Sequence, residues 1–142
     1  MSKGFSLMEI MVAITILAII AAAVGVNVMK NIDEAKVTRA RTDIQSFETA
    51  LQDYKRDNGD YPSTEQGLTA LVAKPSSGKV PKRFPEEGYL GKDKLPKDPF
   101  DCDYVYYSPG LYGHSIEIIS LGRDCQEGGE GLDADIKSWE IE

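Results

Sequence analysis

The sequence predicts an α+β protein, a long N-terminal helix carrying a small head with a short antiparallel β-sheet. Three observations predict it. Ile10–Met29 is an apolar run broken only by Thr15, Gly25 and Asn27. From Asn31 to Asp57 there is neither Pro nor Gly, and Ala40, Ile44, Phe47, Leu51 and Tyr54 recur at spacings of 4, 3, 4 and 3, which places them on one helix face. Beyond Asp57-Asn58-Gly59-Asp60 the pattern changes to proline- and glycine-punctuated segments with short β-like runs. A chain of 142 residues has room for one soluble domain besides the apolar segment.

The first half of the helix is apolar all round. A membrane span needs about 20 mostly apolar residues, and Ile10–Met29 meets that length. Glu9 stands at its mouth, and a carboxylate carried to the centre of a span costs about 2.5–3.5 kcal/mol, so Glu9 needs a cation. Lys3 precedes the run and Lys30 follows it. A cut between Gly4 and Phe5 would create another candidate, an α-amino group at bilayer depth that needs an anion in turn. A neighbouring chain shifted along the axis would pair the two. The competing reading is a signal anchor or a secretory signal with an incidental acid.

The second half of the helix, by contrast, is amphipathic, and its stripe packs on the head. Asp57-Asn58-Gly59-Asp60 supplies the stop, with Asn or Gly for the left-handed residue at the helix end. From Phe5 to Asp57 the helix would run roughly 80 Å at about 1.5 Å per residue. Thr64 is the expected N-cap of a short helix bearing Leu68, Leu71 and Val72. Ser76–Pro99 reads as an ordered, irregular surface connector. Tyr104–Tyr107 and Ile116–Leu121 read as strands joined through Ser108-Pro109-Gly110, and Ile136–Ile141 as a third.

Charge excludes one class of partner and points to another. The formal net charge is −7, so nucleic acid is not expected. The charge is also uneven: residues 74–97 hold seven basic and three acidic side chains, whereas residues 98–142 hold two basic and eleven acidic ones. A head-to-tail contact between copies would use that asymmetry, with Lys94 beside Leu95-Pro96 facing Glu48 or Asp53 on the helix of a neighbour, or the acidic C-terminal part. No enzyme is read here. His114 is the one histidine, expected as a turn residue between strands, and no Ser or Cys has a recognisable base.

Gly4-Phe5-Ser6-Leu7-Met8-Glu9-Ile10 resembles the class III signal of type IV pilins and type II secretion pseudopilins. The resemblance implies a leader, residues 1–4, removed after Gly4 by a prepilin peptidase that also N-methylates Phe5. Glu9 then serves assembly. Tyr61-Pro62-Ser63-Thr64-Glu65-Gln66-Gly67-Leu68, Leu95-Pro96-Lys97-Asp98-Pro99-Phe100 and Tyr107-Ser108-Pro109-Gly110 narrow the resemblance to the major pseudopilins, or G subunits, of type II secretion systems. That family implies a type IV pilin-like fold: residues 5–29 as transmembrane and filament-core helix, 30–58 as amphipathic helix, and 59–142 as a periplasmic head. It implies a single-pass inner-membrane protein that forms a homopolymer, with minor pseudopilins, an inner-membrane assembly platform and a secretin as partners, and that helps drive folded exoproteins across the outer membrane. A pilin, a minor pseudopilin and a monomeric membrane-tethered binding domain are the alternatives.

Two local features remain. Ser120–Ile136 mixes acids with glycines, and such a loop suits Ca2+, which takes six to eight oxygens in flexible geometry. Spacing alone leaves a solvated acidic turn equally open. The resemblance implies a calcium site with Leu121 binding by its carbonyl and Asp124 and Asp135 by side chain, and less firmly Asp133 and the Gln126 carbonyl. Cys102 and Cys125 lie on the side that Lys3 and the family orientation place outside the cytoplasm. A disulfide is expected there, with two separate thiols as the alternative. The pair is not general in the family, and neither is Gly25-Val26, where many members have a Pro.

Overall fold

The computed structural model describes residues 4–141, with the backbone alone at residues 25–27. Met1–Lys3 of the expected leader lie outside the described residues. Helix α1 spans Leu7–Asn58, 52 residues without interruption at Gly25-Val26. Its first turn closes on Ser6, whose carbonyl accepts the N–H groups of Glu9 and Ile10 at 3.0 and 3.2 Å. Backbone proximity divides the chain into two units, Met1–Ala35 and Lys36–Glu142.

The described side chains of the first unit are exposed, apart from a half-exposed Asp33. By length and composition this stretch can cross a membrane. The hydroxyl of Thr15 donates to the Met11 carbonyl at 2.8 Å, so the one hydroxyl in the run is satisfied within its own helix, as a lipid environment requires.

In the second unit the expected stripe is the core. Ala40, Ile44, Phe47, Leu51 and Tyr54 are all at most 3 % exposed. They pack with Leu68, Leu71, Tyr104, Tyr106, Ile118 and Ile136, and Phe47 and Tyr104 form a T-shaped pair at 4.9 Å between ring centroids. The sheet is β1 (Val105–Tyr107), β2 (Glu117–Ser120) and β3 (Ile136–Lys137), antiparallel in that order. Val105 pairs with Ile119, and Ser120 with Ile136. Every residue of β2 is buried, so this central strand is covered on both faces and carries polar residues only where they find partners.

Some expectations shift in detail. The strands are shorter than expected, and after Lys137 the chain turns into a 3₁₀ segment, Ser138–Glu140, in place of further strand. The short helix is a 3₁₀ turn, Leu68–Leu71, preceded by Gly67 without a side-chain cap. Thr64 instead bonds across the fold, donating to the Ser108 carbonyl and accepting the Ser108 N–H at 3.2 and 2.9 Å. At the helix end Gly59 takes the left-handed conformation, φ 91°, which glycine adopts without a Cβ penalty. Asn58 is thereby free to staple the connector: its amide donates to the Arg83 carbonyl at 3.1 Å and accepts the Arg83 N–H at 2.9 Å.

One consequence is measurable in alkali. Burial pushes the Tyr106 phenol up to about 12, and its hydroxyl donates to the Pro62 carbonyl at 2.9 Å. Burial, and then Asp43, also raise Tyr104. The folded head holds these protons more tightly than the unfolded chain does, so the stabilisation is complete below about pH 10 and is lost as pH climbs through the folded value. Circular dichroism melts should show stability falling between about pH 10 and 12, less steeply in Tyr106→Phe. That variant should cost about 1 kcal/mol at neutral pH for the lost hydrogen bond.

Candidate functional sites: helix entry, head charges and the C-terminal loop

At the helix entry Gly4 and Phe5 precede the first turn, and Phe5 is 80 % exposed. Glu9 lies exposed in that turn and makes no ion pair among the described residues. Among the described residues, then, this carboxylate at the edge of an apolar surface has no counter-ion.

Of the acids on the head half of α1, Asp43, Asp53 and Asp57 each have an arginine within 4.0, 2.8 and 3.8 Å. Glu48 has no cation among the described residues, and burial raises its carboxyl above the usual carboxylate range. Lys94 is exposed and is likewise without an ion pair among the described residues. The fold does not join the two within one chain.

The C-terminal loop is built around a buried carboxylate that sequence reasoning missed. Asp98, 4 % exposed, accepts the N–H groups of Phe100 and Cys102 at 3.0 and 2.7 Å and the Ser120 hydroxyl at 2.8 Å. It ties the Pro99 turn to β2 and positions Cys102. The expected disulfide is present, joining Cys102 to Cys125 across 5.7 Å between Cα atoms and 23 residues of chain. A closed loop of that size is worth roughly 3 kcal/mol on the chain-entropy account. Gly122, at φ 67°, leaves no room for a Cβ, which would lie 2.8 Å from the Asp133 carbonyl. The close approach lets the Arg123 N–H reach the Leu132 carbonyl at 3.0 Å.

The expected cation ligands are placed unevenly. Asp133 is gripped by Arg123, whose Nε and Nη2 donate to its two oxygens at 2.8 and 3.2 Å. Its side chain is therefore engaged with a fixed cation, not open to a metal, because the ten-residue return of the loop stacks the two residues side by side. Asp124 accepts the Gln126 N–H at 3.0 Å. Asp135 accepts the Gly128 N–H at 3.1 Å through one oxygen, while its other oxygen, Oδ1, is buried with no hydrogen-bond partner. Leu121 follows directly on β2. Among the described residues no three His, Cys, Asp or Glu side chains form a metal cluster. A cation here would thus draw on one or two carboxylates and backbone carbonyls. The orphaned Asp135 oxygen fits a hard cation, since a buried anionic oxygen without a partner is costly.

The chain matches the family described as type II secretion system protein G over residues 27–139, and the prokaryotic N-terminal methylation motif over residues 1–25. The chain belongs to the type II secretion protein G family. Curated relatives named type II secretion system core protein G include one from Vibrio cholerae, 48 % identical over 139 residues, covering 98 % of this chain and 92 % of the relative. Another, from Pseudomonas aeruginosa, is 50 % identical over 138 residues, covering 97 % and 95 %. The crystal structure of the major pseudopilin from the type 2 secretion system of enterohaemorrhagic Escherichia coli superposes with a TM-score of 0.66 at 40 % identity, covering 80 % of this chain and 94 % of that one. Fold and family thus agree with the resemblance carried by the three sequence blocks. Within this protein G chain, those blocks include structural parts whose roles the sequence did not reveal: Asp98 as turn organiser and Thr64 as a cross-link to Ser108.

Proposed function

We propose that this chain is the structural subunit of a type II secretion pseudopilus. Cleaved after Gly4 and N-methylated on Phe5, it rests in the inner membrane through residues 5–29 with its head in the periplasm. It is then drawn into a helical homopolymer that helps push folded exoproteins through the secretin. Minor pseudopilins, the prepilin peptidase and the inner-membrane assembly platform are its partners. The role is mechanical and not enzymatic. The observation that carries the reading is Glu9, without a counter-ion among the described residues, at the edge of an exposed apolar helix, a surface suited to lipid or to other copies of itself. An amine at Phe5 of a neighbour supplies the missing cation.

Glu9→Ala tests it. Membrane insertion should persist while filament yield falls at least ten-fold, with Glu9→Asp between the two. Mass spectrometry of the mature chain should give a methylated Phe5 terminus. Filaments at the parental yield from Glu9→Ala would overturn the pairing.

Lys94 and Glu48 form the proposed charge contact between heads. Exposed pairs are worth only ~0.2–1 kcal/mol each, but a filament repeats the contact at every subunit. Lys94→Glu should impair assembly more than Lys94→Ala, and Glu48→Lys should restore part of it. Glu48→Gln separates the two roles. In the isolated chain Glu48's raised value means that its folded state loses stability as pH rises through that value. The neutral variant should therefore be at least as stable as the parent at pH 7 yet assemble less well.

Calcium is the proposed cofactor of the C-terminal loop. Asp135 and Asp124 would hold it by carboxylate, and Leu121 and Gln126 by carbonyl, with Asp133 joining only if Arg123 lets go. Bound there, the ion supplies positive charge to a part of the head where acids outnumber bases.

A further inference from the structure

The head keeps few large apolar side chains in solvent. In the second unit, among the described residues, they are Val80, 47 % exposed, Leu111, 66 %, and Tyr112, 69 %. The last two are held there by a device that core packing does not require. Glu117 on β2 is fully buried, and its two carboxylate oxygens accept the N–H groups of Leu111 and Tyr112, each at 2.7 Å. Gly110 makes room for it, because a Cβ at that position would lie 2.5 Å from the carboxyl group. A buried carboxylate is costly unless its oxygens are satisfied, and here that satisfaction fixes two consecutive residues whose side chains point away from the core.

Behind this ledge the surface is aromatic. Trp139 lies 5.5 Å from Tyr112 and stacks on His114 at 5.3 Å between centroids. A groove of about 300 Å³ opens beside the ledge, lined by Tyr107, Leu111, Tyr112, Glu127, Asp135 and Lys137 among others. Lys137 is balanced by Glu140 at 3.6 Å. Glu127 has no ion pair among the described residues. Contact hot spots are enriched in tyrosine and tryptophan, and here an exposed Tyr112 stands against Trp139 with Glu127 nearby.

The same chain carries a complementary segment. Val80 sits in Lys79-Val80-Pro81-Lys82, inside the basic stretch of seven cationic and three anionic residues at 74–97. Lys79 is engaged by Asp60 of its own chain, whereas Lys82 is exposed and has no ion pair among the described residues. The segment is ordered before any contact: Gln66 donates to the Ser77 and Lys79 carbonyls at 2.8 and 3.1 Å, and Asn58 holds Arg83 from the other side. Preorganisation of this kind lowers the entropic cost of docking.

We propose that the Leu111–Tyr112 ledge and its groove receive the Lys79–Lys82 segment of a second copy of this chain, with Val80 against Leu111 and Tyr112 and Lys82 toward Glu127. Two different patches of one subunit meet, so the contact is heterologous and propagates along a polymer without closing. The inference rests on the pseudopilus reading and adds a lateral head contact separate from Lys94 and Glu48.

The test uses full-length chains assembled in membranes, with Val80→Cys and Tyr112→Cys combined in one chain and mild oxidation before a non-reducing gel. A ladder of dimers, trimers and higher species, absent from either single variant, is the expected result. Filaments that form without the ladder overturn the proposal and leave the pseudopilus reading standing, and so does cross-linking to a different protein instead. If the parent chain forms no filaments at all, the pseudopilus reading fails and takes this contact with it. Should the double variant not assemble, charge reversal decides: Lys82→Glu should cut filament yield several-fold with an unchanged head melting temperature, and Glu127→Lys should restore it. An unchanged yield in Lys82→Glu, or no restoration, overturns the contact.

Discussion

Replacing Phe47 by Ala should cost the head about 3–5 kcal/mol, the range for deleting a buried aromatic ring from a packed core. Phe47 is 1 % exposed and its ring makes a T-shaped contact with Tyr104 at 4.9 Å between centroids, an arrangement worth about 0.5–1.5 kcal/mol beyond area burial. Tyr104 in turn donates its hydroxyl to Asp43 on the same helix at 3.2 Å, so the deletion also loosens a polar tie between α1 and the residue that precedes β1. Whole-domain stabilities are about 5–15 kcal/mol, which makes this loss a large fraction of the total. Denaturant melts of the detergent-solubilised chain would measure it, with Phe47→Leu as the smaller reference change. A loss under 1 kcal/mol would mean that the stripe of α1 is not what holds the head.

The stripe was legible because its information is periodic. Ala40, Ile44, Phe47, Leu51 and Tyr54 announce one helix face by spacing alone, and all five are buried. The helix stop was legible for a similar reason, since Gly59 is the residue best able to take the turn that ends α1. Buried carboxylates were not legible. Asp98 and Glu117 look like any surface acid in sequence, and what decides their burial is a set of backbone N–H groups brought to them by turns, a property of the fold. Thr64 misled for the opposite reason: its local context fits an N-cap, but Ser108, 44 residues away, offers its backbone both a donor and an acceptor. The disulfide needed only two cysteines expected outside the cytoplasm, and it is formed. In the C-terminal loop the acids and glycines could be listed but not assigned. Arg123 lies in the same run as Asp133, and only the folded loop shows that it occupies both of that residue's oxygens.

Asp135→Asn should reverse its effect on stability when calcium is removed. With calcium at about a hundred times Kd, binding to the folded state alone contributes about 2.7 kcal/mol, on the order of 10 °C in melting temperature for a head of this size. The variant should lose most of that if the ion is held by the Asp135 carboxylate, whose Oδ1 is buried without a hydrogen-bond partner. In chelator the order changes. Asp135 Oδ1 of the parent is then a buried anionic oxygen without a partner, while the other oxygen keeps the Gly128 N–H. Asn preserves that acceptor and removes the uncompensated charge, so without metal the variant should melt at or above the parent. Asp124→Ala should also lower the melting temperature in calcium, whereas Asp133→Ala should act chiefly through the lost Arg123 pair and change little in its response to chelator. Differential scanning calorimetry of the four chains in calcium and in chelator separates these outcomes. A parent melting temperature that chelation leaves unmoved would reduce the loop to a solvated acidic turn closed by its disulfide.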